Sequence, residues 1–417
     1  MSELVIIAIV VFGFAMISQK LVLSPVTSPM VFTAAGILLG TLGAEWFHLD
    51  LKGEVVSILV EATLVLVLFT DAVRIDLRSL RSQALLPIRL LGIGLPLTII
   101  LGTVTAAVLF GGLTIVEAAL IAAILAPTDA ALGQAVVSDK RLPVRIRQAL
   151  NVESGLNDGI MVPVVTVFLA IAVAETGTAG NENWVAFAAE QIGFGILFGG
   201  LVGLLGGWLL RRFSRAGFVD GIYRQLATIA IAVAAFASAE VVGGNGFIAA
   251  FVAGLAFSAV AREECATVQD FTEDEGELLG SVTFLVFGAV LAAPVLGSLT
   301  WQIALYVVLS LTVVRMLPVL LALAWSHTRF ETRLFIGWFG PRGLASILFA
   351  LLVFDQLSGA VADTVFSVAV WTILVSVFAH GATASYWTSR LARRLGNAPA
   401  SAPELAHVQE MPFRRRL

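Results

Sequence analysis

Apolar segments about as long as a membrane is thick recur along almost the whole chain. A helix needs roughly 20 apolar residues to cross a bilayer. Apolar residues make up 59% of the 417 residues and charged residues 13%, which excludes an ordinary soluble domain. The sequence therefore predicts an all-α polytopic membrane protein. Its 13 predicted transmembrane segments are residues 3–19, 28–47, 53–72, 90–110, 114–138, 148–173, 184–210, 225–241, 244–261, 278–296, 299–325, 334–354 and 358–386.

The positive charges alternate between the predicted loops. All but three of the 25 Lys and Arg follow odd-numbered segments, and the three others are Lys52, Arg315 and Arg342. Cytoplasmic loops carry such an excess of positive charge. We therefore expect a multi-pass protein of the cell inner membrane with its N-terminus outside and its C-terminus in the cytoplasm. A signal peptide carries positive charge before its apolar run. The only cation near the first segment, Lys20, follows the apolar run, so this segment is not expected to be a cleaved signal peptide.

The sixth segment contains a concentration of polar groups within an apolar run. The stretch NVESGLNDGIMVP, residues 151–163, holds Glu153, Ser154, Asn157 and Asp158. On a helix Ser154 and Asp158 share one face, and Glu153 and Asn157 share the next. An intramembrane carboxylate is costly unless it is paired or hydrated, which indicates a functional site. The alternative is a polar cluster that only joins helices.

The fifth segment contains APTDAALG, in which a proline precedes a threonine and an aspartate. Pro127 has no backbone N–H, so the carbonyl of Ala123 is predicted to lose its helical partner. A freed carbonyl beside Thr128 and Asp129 is a suitable set of cation ligands. The alternative is a plain proline kink.

A matching interruption occurs in the twelfth segment, FIGWFGPRGLASILFALLV. Pro341 is predicted to free the carbonyl of Gly337, and Arg342 places a permanent charge at membrane depth. Segments five and twelve are seven apart, which predicts two inverted six-helix repeats whose interrupted helices, near 127 and 341, cross. Such paired interruptions indicate a transporter's binding site. This repeat rests on spacing and orientation.

The predicted domain organisation follows from the same spacing. A transmembrane domain is expected over residues 1–396, with segments 1–6 at about 1–175, a linker segment at about 184–210 and segments 8–13 at about 225–390. Residues 397–417 are polar and contain Pro and Ala, so a disordered cytoplasmic tail is expected.

The seventh segment carries glycines at four-residue spacing, which predicts close approach of another helix. The spaced glycines are Gly195, Gly199, Gly203 and Gly207.

A second arginine at membrane depth, Arg315 in the eleventh segment, needs a partner, for which Glu61 and Asp71 are the candidates. Asp71 could equally lie at the mouth of a cavity or pair with Arg74.

The polar groups suggest a mechanism of coupled transport. Burial disfavours the charged form of a carboxylate, so Asp158 is expected to be stable when it is protonated or when it holds a monovalent cation, and unstable when it is empty. One carboxylate that holds either species, but not both, couples opposite fluxes when the site faces each side in turn.

These motifs resemble those of the NhaP-type sodium/proton antiporters, relatives of the animal sodium/hydrogen exchangers. The resemblance rests on APTDAALG, NVESGLNDG and GPRG and extends over essentially the whole chain, including FTDAVRIDLRSL and GNGFIAAFVAGL. It implies that Asp158 binds the cation and the proton, with Ser154 and Thr128 as accessory ligands of a transported Na⁺.

The resemblance also implies roles for the neighbouring residues. Asp129 and Asn157 would shape the site, and Glu153 would pair with Arg342. The Asn157–Asp158 pair would imply electroneutral exchange. Two positions depart from the family pattern: Ala130 stands where a proline often follows the Thr-Asp pair, and HGAT at 380–383 stands where Gln-Gly-Leu-Thr is common.

Alternative functions are a K⁺/H⁺ antiporter of the same fold, a cation channel and an intramembrane aspartyl protease. A channel would need a selectivity filter, and no such repeat is present in the sequence. In a protease Asp129 and Asp158 would share a proton, but Asp158 lacks the Gly-x-Gly-Asp context. We expect no cofactor, no resident transition metal and no nucleic-acid partner. The expected partners are monovalent cations, protons, the lipid bilayer and a second copy of the chain in a homodimer.

Overall fold

The structure, a computed structural model, contains helices and no strands among the residues that it describes. These are residues 2–21, 26–42, 54–75, 85–129, 132–175, 184–262, 277–357, 359–397, 399 and 402–405. The main helices are α1 (Ser2–Leu21), α2 (Ser28–Leu42), α3 (Glu54–Arg74), α4 (Leu85–Leu109), α5 (Ile115–Ile124), α6 (Val144–Glu175), α7 (Trp184–Arg215), α8 (Gly221–Val241), α9 (Gly246–Val260), α10 (Glu277–Ser298), α11 (Trp301–Ala322), α12 (Phe330–Trp338), α13 (Leu344–Gln356) and α14 (Gly359–Gly396).

The apolar helices lie where the sequence predicts membrane segments. Among the described residues, seven helices are long and apolar enough to cross a membrane, namely α4, α6, α7, α8, α10, α11 and α14. Each predicted segment contains one main helix, except the twelfth, which contains the two half-helices α12 and α13, and the fifth also contains a short helix, Gln134–Val137. The polytopic all-α class is therefore confirmed, while the count of 13 crossings and the inverted repeat stay predictions.

Several helices begin at residues suited to capping. Thr114 accepts a hydrogen bond from the backbone of Glu117, whose side chain accepts one from the backbone of Thr114, so the two form a capping box at α5. Asn245 caps α9 by accepting from the backbone nitrogen of Ile248 at 3.0 Å. These caps satisfy backbone donors that the first turn of a helix leaves free.

The described helices form two compact units. The first comprises Met1–Val60, Leu85–Ser154 and Leu279–Leu417. In it α2 packs closely on a π-helical turn of α10, Phe287–Ala292. A Cβ atom on Gly36 would overlap the carbonyl oxygen of Leu285, and one on Gly288 would overlap that of Thr33. Glycine at both positions therefore permits backbone-to-backbone contact.

The second unit comprises Glu61–Ala84 and Gly155–Leu278. Its helices α7 and α9 meet along the glycines that the sequence analysis identified. A Cβ atom on Gly199 would overlap the carbonyl oxygen of Ala249, and one on Gly203 would overlap that of Ala253. The prediction that these glycines allow another helix to approach closely is confirmed.

The tail differs from its prediction at the few residues that the structure describes. Pro403–Leu405 form a 3₁₀ turn, and Glu404 is 1% exposed. Its carboxylate accepts hydrogen bonds from the backbone nitrogen of Arg329 at 2.7 Å and from the hydroxyl of Thr332 at 3.1 Å. Arg145 also donates to the carbonyl of Pro403. The prediction of disorder is therefore wrong for Pro403–Leu405, because the carboxylate of Glu404 caps the first turn of α12. Residues 406–417 lie outside the described residues.

Candidate ion-binding site

The first helix interruption lies after α5. This helix ends at Ile124, and Pro127, Thr128 and Asp129 are not helical. The carbonyl of Ile124 accepts a hydrogen bond from the hydroxyl of Ser346 at 2.7 Å. The carbonyl of Ala123, predicted to be free, accepts from the backbone of Ala126 at 3.4 Å. The carbonyl of Ala123 thus loses its i+4 helical partner, as predicted, but the expectation that it is free is wrong, because the chain turns tightly before Pro127 and the helix ends there instead of kinking.

The second interruption separates α12 from α13 and meets the first. The backbone nitrogen of Asp129 donates to the carbonyl of Pro341 at 2.8 Å. The carboxylate of Asp129 accepts from the backbone nitrogen of Leu344, the first residue of α13, at 2.7 Å. A Cβ atom on Gly343 would overlap that carboxylate, so glycine is required for the approach. The structure thus brings together the interruptions predicted near 127 and 341.

Ser154 joins α6 to the first interruption. Its hydroxyl donates to the carbonyl of Thr128 at 2.6 Å, and both side chains are buried. Asp158 lies one helical turn after Ser154 on the same continuous helix, so the two residues share a helix face. Asn157 and Asp158 are also buried, with 1% and 5% of their surfaces exposed. The predicted ligands Ser154 and Thr128 are therefore in contact, and Asp158 follows on the same face of α6.

The partner of Glu153 differs from the prediction. Its carboxylate pairs with Arg315 of α11, with 2.6 Å between Oε1 and a terminal guanidinium nitrogen. The prediction that Glu153 pairs with Arg342 is wrong, as is the prediction that Arg315 pairs with Glu61 or Asp71. The guanidinium of Arg342 instead donates to the carbonyl of Gly340 at 2.7 Å. That carbonyl is available because the segment between α12 and α13 is not helical.

Asp71 lies in the second unit, near the cytoplasmic end predicted for α3. Its carboxylate is 3.5 Å from the guanidinium of Arg74, one turn along the helix, and both side chains are buried. This confirms the ion-pair alternative for Asp71. In the same unit a Cβ atom on Gly155 would lie 3.7 Å from Asp71, so α3 packs on α6 there. Glu61 is exposed.

Sequence reasoning assigned no role to three polar residues that hold the interruptions in place. Ser346 satisfies the end of α5, as described above. Ser376 of α14 contacts the segment between α12 and α13, and His380 of the same helix contacts Trp338, the last residue of α12. All three lie within apolar helices and are at most 1% exposed. Their signal in the sequence is a lone polar residue in an apolar run, which is too common in membrane helices to single out a site.

Curated relatives of this chain are transporters. A Na(+)/H(+) antiporter of Schizosaccharomyces pombe is 26% identical over 305 residues, covering 66% of this chain and 64% of the relative. A K(+)/H(+) antiporter NhaP2 of Shewanella sp. (strain ANA-3) is 26% identical over 381 residues, covering 89% of this chain and 65% of the relative. The chain thus spans slightly less than two thirds of the length of these relatives.

Solved structures show the same fold. The sodium proton antiporter MjNhaP1 from Methanocaldococcus jannaschii superposes with a TM-score of 0.77 at 19% identity, covering 94% of this chain and 100% of that one. The sequence profile described as sodium/hydrogen exchanger, transmembrane, matches residues 5–390. With almost the whole chain covered by that profile, the protein belongs to the sodium/hydrogen exchanger family.

Proposed function

We propose that the protein is a secondary active antiporter that exchanges a monovalent cation for a proton by alternating access. The observation that carries this proposal is the placement of Asp158 on α6, one turn from Ser154, whose hydroxyl is bonded to the carbonyl of Thr128. The relatives named as antiporters support it. A carboxylate buried in a membrane helix is stable only when a proton or another cation neutralises it.

The hydrogen bond that Ser154 donates determines which further contacts its hydroxyl can make. Its hydrogen is donated to the carbonyl of Thr128, so the remaining lone pairs of its oxygen are free to accept. A hydroxyl oxygen with its hydrogen already engaged is suited to bind a cation. We therefore assign Ser154 as an accessory ligand beside Asp158, with Thr128 as the third contributor. Asn157 and Asp129 shape the site without changing their charge.

The transported cation is proposed to be Na⁺ or Li⁺, with K⁺ as the alternative. Relatives named for both Na⁺ and K⁺ support either choice. The proposed setting is the cell inner membrane, with the N-terminus outside, the C-terminus in the cytoplasm and two copies in a homodimer.

The test is exchange by purified protein in sealed vesicles containing a pH-sensitive dye. Na⁺, Li⁺ and K⁺ are added in turn, and cation-dependent proton movement is recorded. Asp158→Asn keeps the volume of the side chain but can neither bind a proton nor balance a cation. It is expected to abolish the signal while the melting temperature in detergent is unchanged or raised.

Asp139→Asn is the matched control, because it makes the same chemical change in a predicted loop, where Asp139 pairs with Arg141 at 2.6 Å. It should retain exchange. Cation-dependent exchange by Asp158→Asn would contradict the assignment of Asp158. A wild-type protein that moves cations without protons would contradict antiport itself.

A further inference from the structure

One face of α14 carries three polar side chains that contact the chain where α12 ends. Ser376, His380 and Thr383 are spaced by four and three residues and therefore lie on the same face of this helix. We call these three residues the polar face of α14. Each contacts the chain between Trp338 and Arg342, which forms the second interruption.

His380 binds the end of α12. Its Nε2 atom donates to the carbonyl of Trp338 at 2.9 Å, because a carbonyl oxygen can only accept. Its Nδ1 atom lies 3.0 Å from the hydroxyl oxygen of Ser376 and 2.9 Å from the carbonyl oxygen of the same residue. The rings of His380 and Trp338 also pack together, with 5.0 Å between their centroids. The imidazole thus links α14 to the last residue of α12.

Ser376 and Thr383 extend this link in both directions. The hydroxyl of Ser376 accepts from the backbone nitrogen of Arg342 at 2.7 Å. The hydroxyl of Thr383 accepts from the indole nitrogen of Trp338 at 3.0 Å. The polar face of α14 therefore holds both flanks of the extended segment, Trp338 on one side and Arg342 on the other.

Between these two flanks lies Pro341, whose carbonyl accepts from the backbone of Asp129. We propose that the polar face of α14, with His380 at its centre, positions the interrupted segment and so determines cation affinity. This inference rests on the proposed antiport function. The positioning acts through backbone hydrogen bonds, so His380 and Ser376 touch no transported ion. Loss of these bonds leaves the segment less ordered before the cation arrives, and that disorder weakens binding.

The proposal predicts which side chain can replace His380. Glutamine carries an amide nitrogen that can donate to the carbonyl of Trp338 and an amide oxygen that can accept from the hydroxyl of Ser376. It is uncharged at every pH at which the protein is folded. His380→Gln therefore keeps one donor and one acceptor and removes only the capacity of this side chain to carry a charge.

The experiment compares His380→Ala, His380→Gln and Ser376→Ala with wild type in sealed vesicles, with exchange normalised to the amount of folded protein. Removal of the imidazole should raise the apparent KM for the cation about tenfold, the equivalent of one buried hydrogen bond. Ser376→Ala should raise it by a smaller factor. His380→Gln should restore wild-type KM and an unchanged pH profile.

Thr372→Val is the matched control, since Thr372 is a buried residue on α14 whose hydroxyl donates to its own helix at Val368. It should leave KM unchanged. A loss of folded protein with normal KM in His380→Ala would overturn the proposal in favour of a stabilising role. A shifted pH profile in His380→Gln would overturn it in favour of titration of the imidazole. If wild-type protein exchanges no cation for protons, the proposed function fails instead.

Discussion

The carboxylate of Asp129 accepts a hydrogen bond from the backbone nitrogen of Leu344, 215 residues later in the chain. This contact makes Asp129 the cap of α13, where the helix dipole favours negative charge. One oxygen of Asp129 is thus engaged in capping α13, while Asp158 is the carboxylate proposed to change its occupancy.

Replacement of Asp129 tests its capping role. Asp129→Ala removes the acceptor and should lower the free energy of unfolding by about 1–2 kcal/mol, as loss of an N-cap does. Asp129→Asn keeps an acceptor oxygen and should lose less. Melting temperatures in detergent measure both. Equal losses in the two variants would mean that charge, and not the hydrogen bond to Leu344, stabilises this position.

The ion pair between Glu153 and Arg315 predicts a strong coupling. Because both side chains are buried, removal of either partner strands a charge and should cost about 3–5 kcal/mol. Replacement of both, as in Glu153→Gln with Arg315→Met, should recover much of that loss. The matched comparison is the double variant Glu153→Gln with Arg342→Met, because the structure does not pair these two residues. Thermal unfolding of the single and double variants measures the losses. Additive losses in Glu153→Gln with Arg315→Met would show that Glu153 and Arg315 do not interact.

Exchange is expected to be electroneutral. Asn157 cannot be charged, Arg315 neutralises Glu153, and Asp129 is engaged with α13. Only Asp158 then changes occupancy, so one proton leaves for each monovalent cation that enters. A membrane potential imposed with potassium and valinomycin should leave the equilibrium of Na⁺-driven pH change unaltered. A shift of that equilibrium would exclude one-for-one exchange and make Asp129 the first residue to replace.

The close contact between α7 and α9 predicts opposite effects at adjacent glycines. Gly199→Ala places a methyl group on the backbone of Ala249, whereas nothing lies within 4 Å of a Cβ atom at Gly200. The first change should destabilise the protein by about 1–3 kcal/mol through overpacking. The second should be neutral or stabilising by up to about 1 kcal/mol, because alanine favours helix. Melting temperatures of the two variants, measured side by side, should move apart; movement in the same direction would argue against the contact.

The helical class and the location of the candidate site could be predicted because both depend on local sequence. Apolar runs mark the helices, and polar residues such as Asp158 are conspicuous within them. Pro127 and Pro341 likewise mark the interruptions, since proline removes a backbone donor wherever it falls. The meeting of the two interruptions followed from their matched positions in the chain.

The partners of buried charges could not be predicted in the same way. Glu153 could pair with any arginine at membrane depth. The choice of Arg315 over Arg342 depends on the rotation of α11 and on the irregularity of this helix at Thr312, between its halves Trp301–Leu311 and Val313–Ala322. Arg342 finds its acceptor in Gly340, within its own extended segment. Such choices depend on side-chain geometry across distant helices, which periodicity does not encode. The same holds for His380, whose partners lie 4 and 42 residues away.

The contact of Gly199 and Gly203 with α9 also limits how this protein can evolve. Every other amino acid adds a Cβ atom, so no single replacement at either glycine preserves the present distance between the backbones. A substitution at either glycine therefore requires a larger distance between α7 and α9, with compensating changes at Ala249 and Ala253. Leu201 and Leu204, which project from α7 with about half of their surfaces exposed, face no such constraint. Within one helix, therefore, neighbouring codons are expected to change at very different rates.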